Sequence, residues 1–180
     1  MEREVLYAEV RADVKKPITV DRAKSLLGWA VMDDKVTDFL LRNREGKKVR
    51  CANNVRNRPL YLSAIETLQQ EVLRQRWRMN GEPVIVGKTG VLLNGQHCLT
   101  ALVLAAEEWA ADPSRWPAWE EEPSIRKIVV YGVDEDDETV NTMDTCKPRT
   151  LTDVIYRSAF FAMDDLSPRD LRECARMTDY

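Results

Sequence analysis

Apolar residues recur at helical spacing in two stretches of the chain, and these stretches predict two helices. In the first stretch, Ser63 and Glu66 have the spacing of a capping box, which predicts a helix from there to about Trp77. The second predicted helix covers residues 96–111 and stops before Pro113. The two apolar faces consist of Leu62, Ile65, Leu68, Val72 and Leu73, and of Leu99, Leu102, Val103 and Ala106.

Shorter apolar runs predict strands. Residues 83–86 and 91–93 are joined by a Gly-Lys-Thr-Gly turn and suit a hairpin. Residues 125–131 are β-branched and aromatic, which is typical of a further strand. The remaining predicted elements are a strand at residues 5–10, a helix at 21–27 ended by Gly28, a short acidic helix from Asp134, and helices at 150–162 and from Ser167.

The single histidine of the chain, His97, lies where the predicted hairpin meets the second predicted helix. The sequence there is Asn-Gly-Gln-His-Cys, at residues 94–98. A glycine turn lets the backbone approach a ligand closely, and the N–H groups and dipole of a helix N-terminus attract an anion such as phosphate. Two interpretations follow: His97 contacts that anion, or it is a partly buried histidine that bonds a neighbouring carbonyl.

Length and charge limit the classes of function. A chain of 180 residues can bury a real core and suggests one domain. A net charge of −3 and a pI near 5.4 give no overall basic field for nucleic acid, so any DNA contact needs a local patch. No apolar run approaches the roughly 18 residues that span a bilayer, and the N-terminus has no leader pattern, so we expect a cytoplasmic protein without membrane contact.

The cysteines give no sign of a metal or redox motif. They are Cys51, Cys98, Cys146 and Cys174, and none of them has the CxxC spacing of a zinc or dithiol site. We therefore expect reduced thiols.

Two surface segments are candidate contacts for macromolecules. The turn-rich stretch at residues 42–58 is basic, with Glu45 as its single acid, and either binds a nucleic-acid backbone or pairs with the protein's own acids. The stretch between Trp109 and Trp119 either covers the core or binds a protein partner. The residues expected to contact DNA or RNA are Arg42, Arg44, Lys47, Lys48 and Arg50.

Three stretches of sequence occur in an order typical of a known superfamily. The first is Asn57-Arg58-Pro59-Leu60. The second joins GEPVIV at residues 81–86 to GVLLNGQH at 90–97. The third joins YGVD at residues 131–134 to TMDTCKPRT at 142–150. Together they resemble the ParB/sulfiredoxin superfamily, and in particular its phage and mobile-element branch with a GQHR-type motif.

The resemblance implies a small α/β (α+β) domain with a mixed sheet, flanking helices and a helical C-terminal extension. The implied divisions are an N-terminal segment with the basic loop at residues 1–56, the ParB/sulfiredoxin-like core at 57–133 and the extension at 134–180. Relatives bind nucleoside triphosphates, hydrolyse or transfer phosphate, or act in DNA partition and cleavage. Membership of a fold does not choose among these activities.

On the family pattern, Gly95, Gln96 and His97 form a phosphate-binding turn with Cys98. Most relatives carry an arginine in place of Cys98, and the arginine fork grips phosphate in a way that a neutral thiol does not. Its loss is expected to weaken triphosphate binding by roughly 1.5–3 kcal/mol. The catalytic cysteine of sulfiredoxins falls at Gln96, so their thiol chemistry is not expected here.

Four further residues complete the site that the resemblance implies. Arg58 and Arg149 are expected phosphate ligands, or else a solvated loop charge and a cap residue. Asp144 is an expected magnesium ligand or general base, or else a turn residue. Glu82 is either a carboxylate at the pocket edge or part of an exposed turn.

The expected function is that of a phage- or mobile-element-type protein, in the host cytoplasm, that binds a nucleotide or a nucleic-acid phosphate at residues 95–98. If it is an enzyme, the reaction is phosphoryl transfer or phosphodiester hydrolysis with a nucleoside triphosphate and Mg²⁺. His97 and Arg58 would then stabilise phosphate charge, while Glu82 or Asp144 would hold magnesium or act as the base. The alternative is a non-catalytic binding or scaffold protein that has lost the phosphate-gripping arginine.

Overall fold

The computed structural model describes residues 4–31, 47, 49–54, 57 and 60–142. Its strands are β1 (Arg11–Asp13), β2 (Trp29–Val31), β3 (Val49–Cys51), β4 (Val84–Gly87), β5 (Leu92–Asn94) and β6 (Val129–Val133). Its helices are α1 (Val20–Leu27), α2 (Leu62–Leu73), α3 (Gln96–Ala111) and α4 (Asp137–Thr142), with a 3-10 turn at Pro113–Arg115.

Four strands form a mixed sheet in the order β1-β6-β4-β5. The central pair, β4 and β6, is parallel, and the β1–β6 and β4–β5 pairs are antiparallel. α3 carries the chain from the edge strand β5 back to β6. A separate antiparallel pair joins β2 to β3. This combination of helices with a mixed sheet confirms the expected α/β fold class.

The main core lies between one face of the sheet and α3, which packs against both α1 and α2. Leu99 and Leu102 of α3 are fully buried there, together with Val84 of β4 and Val129 of β6. A second, smaller apolar cluster, separate from the main core, joins Leu93 of β5 to α4. Because α3 is buried along most of its length, its N-terminus is held firmly beside the end of β5.

Several predicted elements are confirmed. The hairpin corresponds to β4 and β5, and α3 covers the predicted residues 96–111. α1 ends at Gly28, whose φ of +62° is the left-handed conformation that glycine adopts without strain. The acidic helix begins slightly later than predicted, because the carboxylate of Asp136 accepts a hydrogen bond from the backbone N–H of Thr139 at 2.7 Å and so caps α4.

The predicted limits of α2 are wrong at both ends. The helix begins at Leu62 with Tyr61 as its N-cap, so Ser63 lies inside the helix and the predicted capping box does not form. It ends at Leu73 rather than near Trp77. The backbone of Gln75 has a φ of +52°, which interrupts the helical path despite the apolar periodicity.

The strand predicted at residues 5–10 is also wrong, since the strand of this region is β1 at Arg11–Asp13. The backbone N–H groups of Leu6 and Tyr7 both donate to the carbonyl of Lys88, at 2.7 and 3.0 Å, which ties this segment to the hairpin turn. β6 likewise begins later than predicted, at Val129. Ile125, the predicted start of the strand, forms only an isolated bridge with Ile18.

The predicted helices at residues 150–162 and from Ser167 lie outside the described residues. β1 and α1, from the predicted N-terminal segment, belong to the same sheet and core as β4 and β6. None of the helices in the described ranges combines the length and the apolar character that crossing a membrane requires.

Candidate functional site

The turn between β5 and α3 is built around Gly95, and we call residues 95–98 the glycine turn. Gly95 has a φ of +100°, and a Cβ at this position would lie 2.8 Å from Cγ2 of Val84. Its N–H donates to the side-chain oxygen of Asn94 at 2.9 Å, and the Asn94 amide donates to the carbonyl of Pro83 at 3.0 Å. Both the backbone conformation and the close approach to Val84 therefore require glycine here.

α3 begins at this turn without a side-chain cap, because its N-cap residue is Gly95. An α-helix leaves the N–H groups of its first turn without partners inside the helix, and its dipole places partial positive charge there. With 16 residues, α3 is the longest helix in the described part of the chain. The turn therefore has the backbone geometry and electrostatics of an anion site.

Two side-chain amides lie beside the start of α3. Gln96 is 4% exposed, and its side-chain oxygen accepts a hydrogen bond from the side-chain amide of Asn54. The side-chain oxygen of Asn54 is buried and has no hydrogen-bond partner within the described ranges. A neighbouring amide, Asn57, donates to the carbonyl of Leu92 at the start of β5. Asn54 therefore contacts the glycine turn, and Asn57 contacts the strand that leads into it.

His97 bonds the start of α2. Its Nε2 accepts a hydrogen bond from the backbone N–H of Tyr61 at 3.1 Å, and the two rings stack with centroids 5.8 Å apart at an interplanar angle of 6°. Nε2 must be unprotonated to accept this bond. The arrangement supports a structural role for His97, whose partner at Nε2 is an amide N–H.

Cys98 lies in the core. Its side chain is 5% exposed, and Sγ donates to the carbonyl of Gly95 at 3.0 Å. Burial raises the pKa of this thiol to about 11, although the nearby charge of Lys127 acts in the opposite direction. A thiol with this pKa is neutral at physiological pH. The side chain of Cys98 is therefore directed into the core.

Glu82 lies on the surface next to the glycine turn. Its side chain is 75% exposed, and its carboxylate lies 3.8 Å from Nζ of Lys127, whose side chain is only 6% exposed. Nζ of Lys127 also lies 5.8 Å from the ring centroid of Trp77. The expected pocket-edge carboxylate is thus an exposed acid with a buried cation as its partner.

The structure brings Gly95, Gln96 and His97 together and places Glu82 nearby. Of the residues predicted to contact nucleic acid, Lys47 and Arg50 are exposed. The predicted residues that lie outside the described ranges are Arg58, Asp144 and Arg149 at the phosphate site, and Arg42, Arg44 and Lys48 in the basic loop. The described residues contain no group of three or more histidine, cysteine or acidic side chains that could hold a metal ion.

Sequence reasoning missed two contributors to this region. Tyr61 gave no signal, because its contact with His97 uses a backbone N–H. Lys127 did give one, since it alternates with Ile125 and Val129 and both of these are buried. The period of two residues in a strand places all three side chains on one face. A lysine on an inward-facing position is unusual and marks the residue for attention.

The tryptophans after α3 cover the core. The indole N–H of Trp119 donates to the carbonyls of Val72 and Leu73, at 3.1 and 3.2 Å, and that of Trp109 donates to the carbonyl of Trp119 at 3.4 Å. All three tryptophans of this stretch, including Trp116, pack against the main core. Of the two interpretations of this stretch, the contacts favour a core cover over an exposed partner-binding surface.

Comparison with known proteins identifies no relative. No protein-family model, no curated protein and no solved structure gives a significant match to the chain. The resemblance to the ParB/sulfiredoxin superfamily therefore stays a prediction from three sequence stretches, and the function has to be argued from the geometry of the glycine turn.

Proposed function

We propose that this protein binds a phosphate group, carried by a nucleotide or by nucleic acid, at the glycine turn. The observation that carries the proposal is the start of α3 at Gly95, an N-cap residue without a side chain, held at a φ of +100° beside Val84. A helix N-terminus after a glycine turn offers backbone donors and a favourable dipole to an anion. The phosphate-binding turn that the family resemblance implies falls on the same residues.

In this proposal the backbone holds the ligand and the side chains of the turn position the backbone. Gln96 is fixed by Asn54, and His97 is fixed by Tyr61. The Cys98 thiol stabilises the turn by donating a hydrogen bond to the Gly95 carbonyl. The turn is thus preorganised, which lowers the entropy that binding would otherwise cost.

The proposal is for binding and not for a reaction. His97 uses Nε2 as an acceptor for the Tyr61 amide, and Glu82 faces the cation of Lys127. The described residues hold no group of three or more acidic, histidine or cysteine side chains that could bind a metal ion, and the predicted magnesium ligand Asp144 lies outside them. We therefore propose a nucleoside triphosphate or another phosphate ligand held by the protein itself, without assigning a catalytic base.

A second candidate function is contact with a nucleic-acid backbone through the basic loop. Lys47 and Arg50 are both exposed, and Arg50 lies on β3. Such binding would weaken steeply with salt, whereas a nucleotide held at the glycine turn would bind without the loop. The two candidates are therefore separable by substituting the loop.

We also propose that the protein works in the cytoplasm. Cys51 and Cys98 are free thiols, and burial raises the pKa of each to about 11. Free cysteines of this kind persist in a reducing compartment.

The proposed function is tested by titrating the protein with ATP, CTP and GTP, with and without Mg²⁺. Binding is measured by calorimetry and by changes in amide chemical shifts. We expect binding at millimolar ligand or below, with the largest shifts at residues 95–98. An absence of binding at millimolar ligand would overturn the proposal. Binding with shifts confined to other residues would place the site elsewhere.

A matched arm tests the basic loop with a short duplex DNA as the probe. Neutralising Arg42, Arg44, Lys47, Lys48 and Arg50 together is expected to leave nucleotide binding intact. If DNA binding is lost in this variant while nucleotide binding is unchanged, the loop is a separate nucleic-acid contact. If nucleotide binding is lost as well, the ligand is not held by the glycine turn alone.

A further inference from the structure

We propose that Lys127 is the cation of the phosphate site, and that the carboxylate of Glu82 pairs with this cation until a phosphate displaces it. The proposal rests on the proposed function and deepens it, because it assigns the ligand a second anchoring point. A ligand that bridges the start of α3 and Lys127 is a di- or triphosphate chain rather than a single phosphate.

The ammonium group of Lys127 has ionic and aromatic partners but no hydrogen bond to the described residues. Its side chain is 6% exposed. Its partners are the carboxylate of Glu82 at 3.8 Å, beyond hydrogen-bond distance, and the ring of Trp77. Nζ is not among the fully buried atoms without a hydrogen-bond partner, so a ligand can reach it, and phosphate oxygens would supply hydrogen bonds that the described residues do not.

Lys127 and the glycine turn lie on either side of the same short segment of the chain. The backbone N–H of Val84 donates to the carbonyl of Ile128 at 2.8 Å, so residues 82–84 run beside residues 127–128. On the other side of the same segment, Asn94 donates to the carbonyl of Pro83. Gly95 packs against Val84. The segment at residues 82–84 therefore lies between Lys127 and the glycine turn and contacts both.

The side chain of Lys127 points to the same side of the sheet as the core. Lys127 alternates with Ile125 and Val129, whose side chains lie in the same core cluster as Cys98 and Leu99 of α3. Lys127 therefore faces the side of the sheet that α3 covers. In agreement with this placement, the charges of Lys127 and Glu82 both influence the pKa of the Cys98 thiol.

The asymmetry of the pair points to displacement. The side chain of Lys127 is 6% exposed, whereas that of Glu82 is 75% exposed, and the charged atoms of the two lie 3.8 Å apart. An exposed carboxylate held at this distance contributes little, and solvent can take it up with little cost. A phosphate chain with several negative charges would compete for Nζ and release Glu82 to water. Glu82 is then an internal competitor of the ligand and not a catalytic base.

The experiment measures binding of inorganic triphosphate to the wild-type protein and to two variants, by calorimetry at low ionic strength. Lys127→Met keeps the apolar stem and removes the charge, and it should weaken binding about tenfold or more. Glu82→Gln removes the competing charge and should strengthen binding several-fold. A purely structural ion pair would not give these opposite signs, because loss of either partner would then act in the same direction.

Matched controls come from the exposed ion pair of Lys88 and Asp134, whose charged atoms lie 2.5 Å apart at the other end of the hairpin. Lys88→Met and Asp134→Asn should leave triphosphate affinity within twofold of wild type. Thermal unfolding of every variant shows whether the fold is retained. If Lys127→Met does not fold, the result rests on Glu82→Gln, which alters only an exposed side chain.

The possible outcomes separate this inference from the proposed function. If wild type binds triphosphate and Glu82→Gln binds it no more tightly, the displacement of Glu82 is overturned. If a folded Lys127→Met variant binds as well as wild type, Lys127 is not the cation, while the proposed function stands. If wild type binds neither triphosphate nor any nucleotide, both proposals fail together.

Discussion

The imidazole of His97 accepts a hydrogen bond from the backbone N–H of Tyr61 across 3.1 Å, and it stacks on the ring of the same tyrosine. His97 lies in the first turn of α3, and Tyr61 is the N-cap residue of α2. One side chain therefore joins the N-termini of two helices. Protonation of Nε2 would replace the acceptor with a donor and break this link.

Replacing His97 by alanine should reduce the free energy of unfolding by about 1–2 kcal/mol, because it leaves the Tyr61 N–H without its acceptor and removes the stacked ring. Urea denaturation followed by circular dichroism measures the loss. Tyr61→Ala is the matched control, since it removes the stacked ring and keeps the backbone N–H. An equal loss in both variants would show that the hydrogen bond contributes nothing.

Gly95→Ala should destabilise the protein by about 1–3 kcal/mol. The new Cβ would lie 2.8 Å from Val84, and the backbone φ of +100° disfavours any residue with a side chain. Gly81 separates the two causes, because its φ is +81° and nothing lies within 4 Å of a Cβ placed there. Gly81→Ala should therefore cost less, and equal costs measured by urea denaturation would mean that contact with Val84 is unimportant.

The hairpin and α3 could be predicted because their sequence signals are local. The Gly-Lys-Thr-Gly turn stands between two apolar runs, and Gly95 and Pro113 mark the two ends of α3. Each boundary is set by the conformational preference of a residue at that boundary. Tertiary context had little to override, and these elements position the glycine turn.

The rest of the site depends on contacts between residues far apart in sequence. Ser63 and Glu66 have capping-box spacing, but the helix begins before them, with Tyr61 docked on His97. Glu82 looks like an isolated acid until the segment before β6 places Lys127 beside it. A pattern within one segment carries no information about such pairings, so the partner of a charged side chain could not be predicted from spacing alone.

Cys98→Arg, which introduces the residue that the ParB/sulfiredoxin resemblance implies, should destabilise the fold by at least about 2 kcal/mol, because a longer charged side chain would overfill this buried position. We expect no gain in triphosphate affinity, since the side chain at this position points into the core. Calorimetry on a variant that still folds decides the matter. A stable Cys98→Arg protein with tighter binding would show that the position faces the ligand.

The Cys98 thiol should make stability depend on alkaline pH. Its pKa is about 11 in the folded protein against 9.0 for an ordinary thiol, so the unfolded chain ionises first as the pH rises. The stabilisation is complete below pH 9 and is lost as the pH rises towards 11. Cys98→Ala should show a smaller fall in unfolding free energy between pH 8 and pH 10.5 than wild type. Parallel curves for the two proteins would contradict the raised pKa.

Trp119 and Trp116 should respond differently to replacement by phenylalanine. The indole N–H of Trp119 donates to the carbonyls of Val72 and Leu73 at the end of α2. Trp119→Phe removes this donor, although the Val72 carbonyl keeps its bond from the backbone N–H of Gln75, and should cost about 1–2 kcal/mol beyond the change in volume. The indole nitrogen of Trp116 is buried and has no hydrogen-bond partner within the described ranges. Trp116→Phe therefore removes an unsatisfied donor and should cost less, or stabilise the protein. Thermal unfolding of the two variants measures the difference, and a greater loss for Trp116→Phe would show that its indole N–H does have a partner.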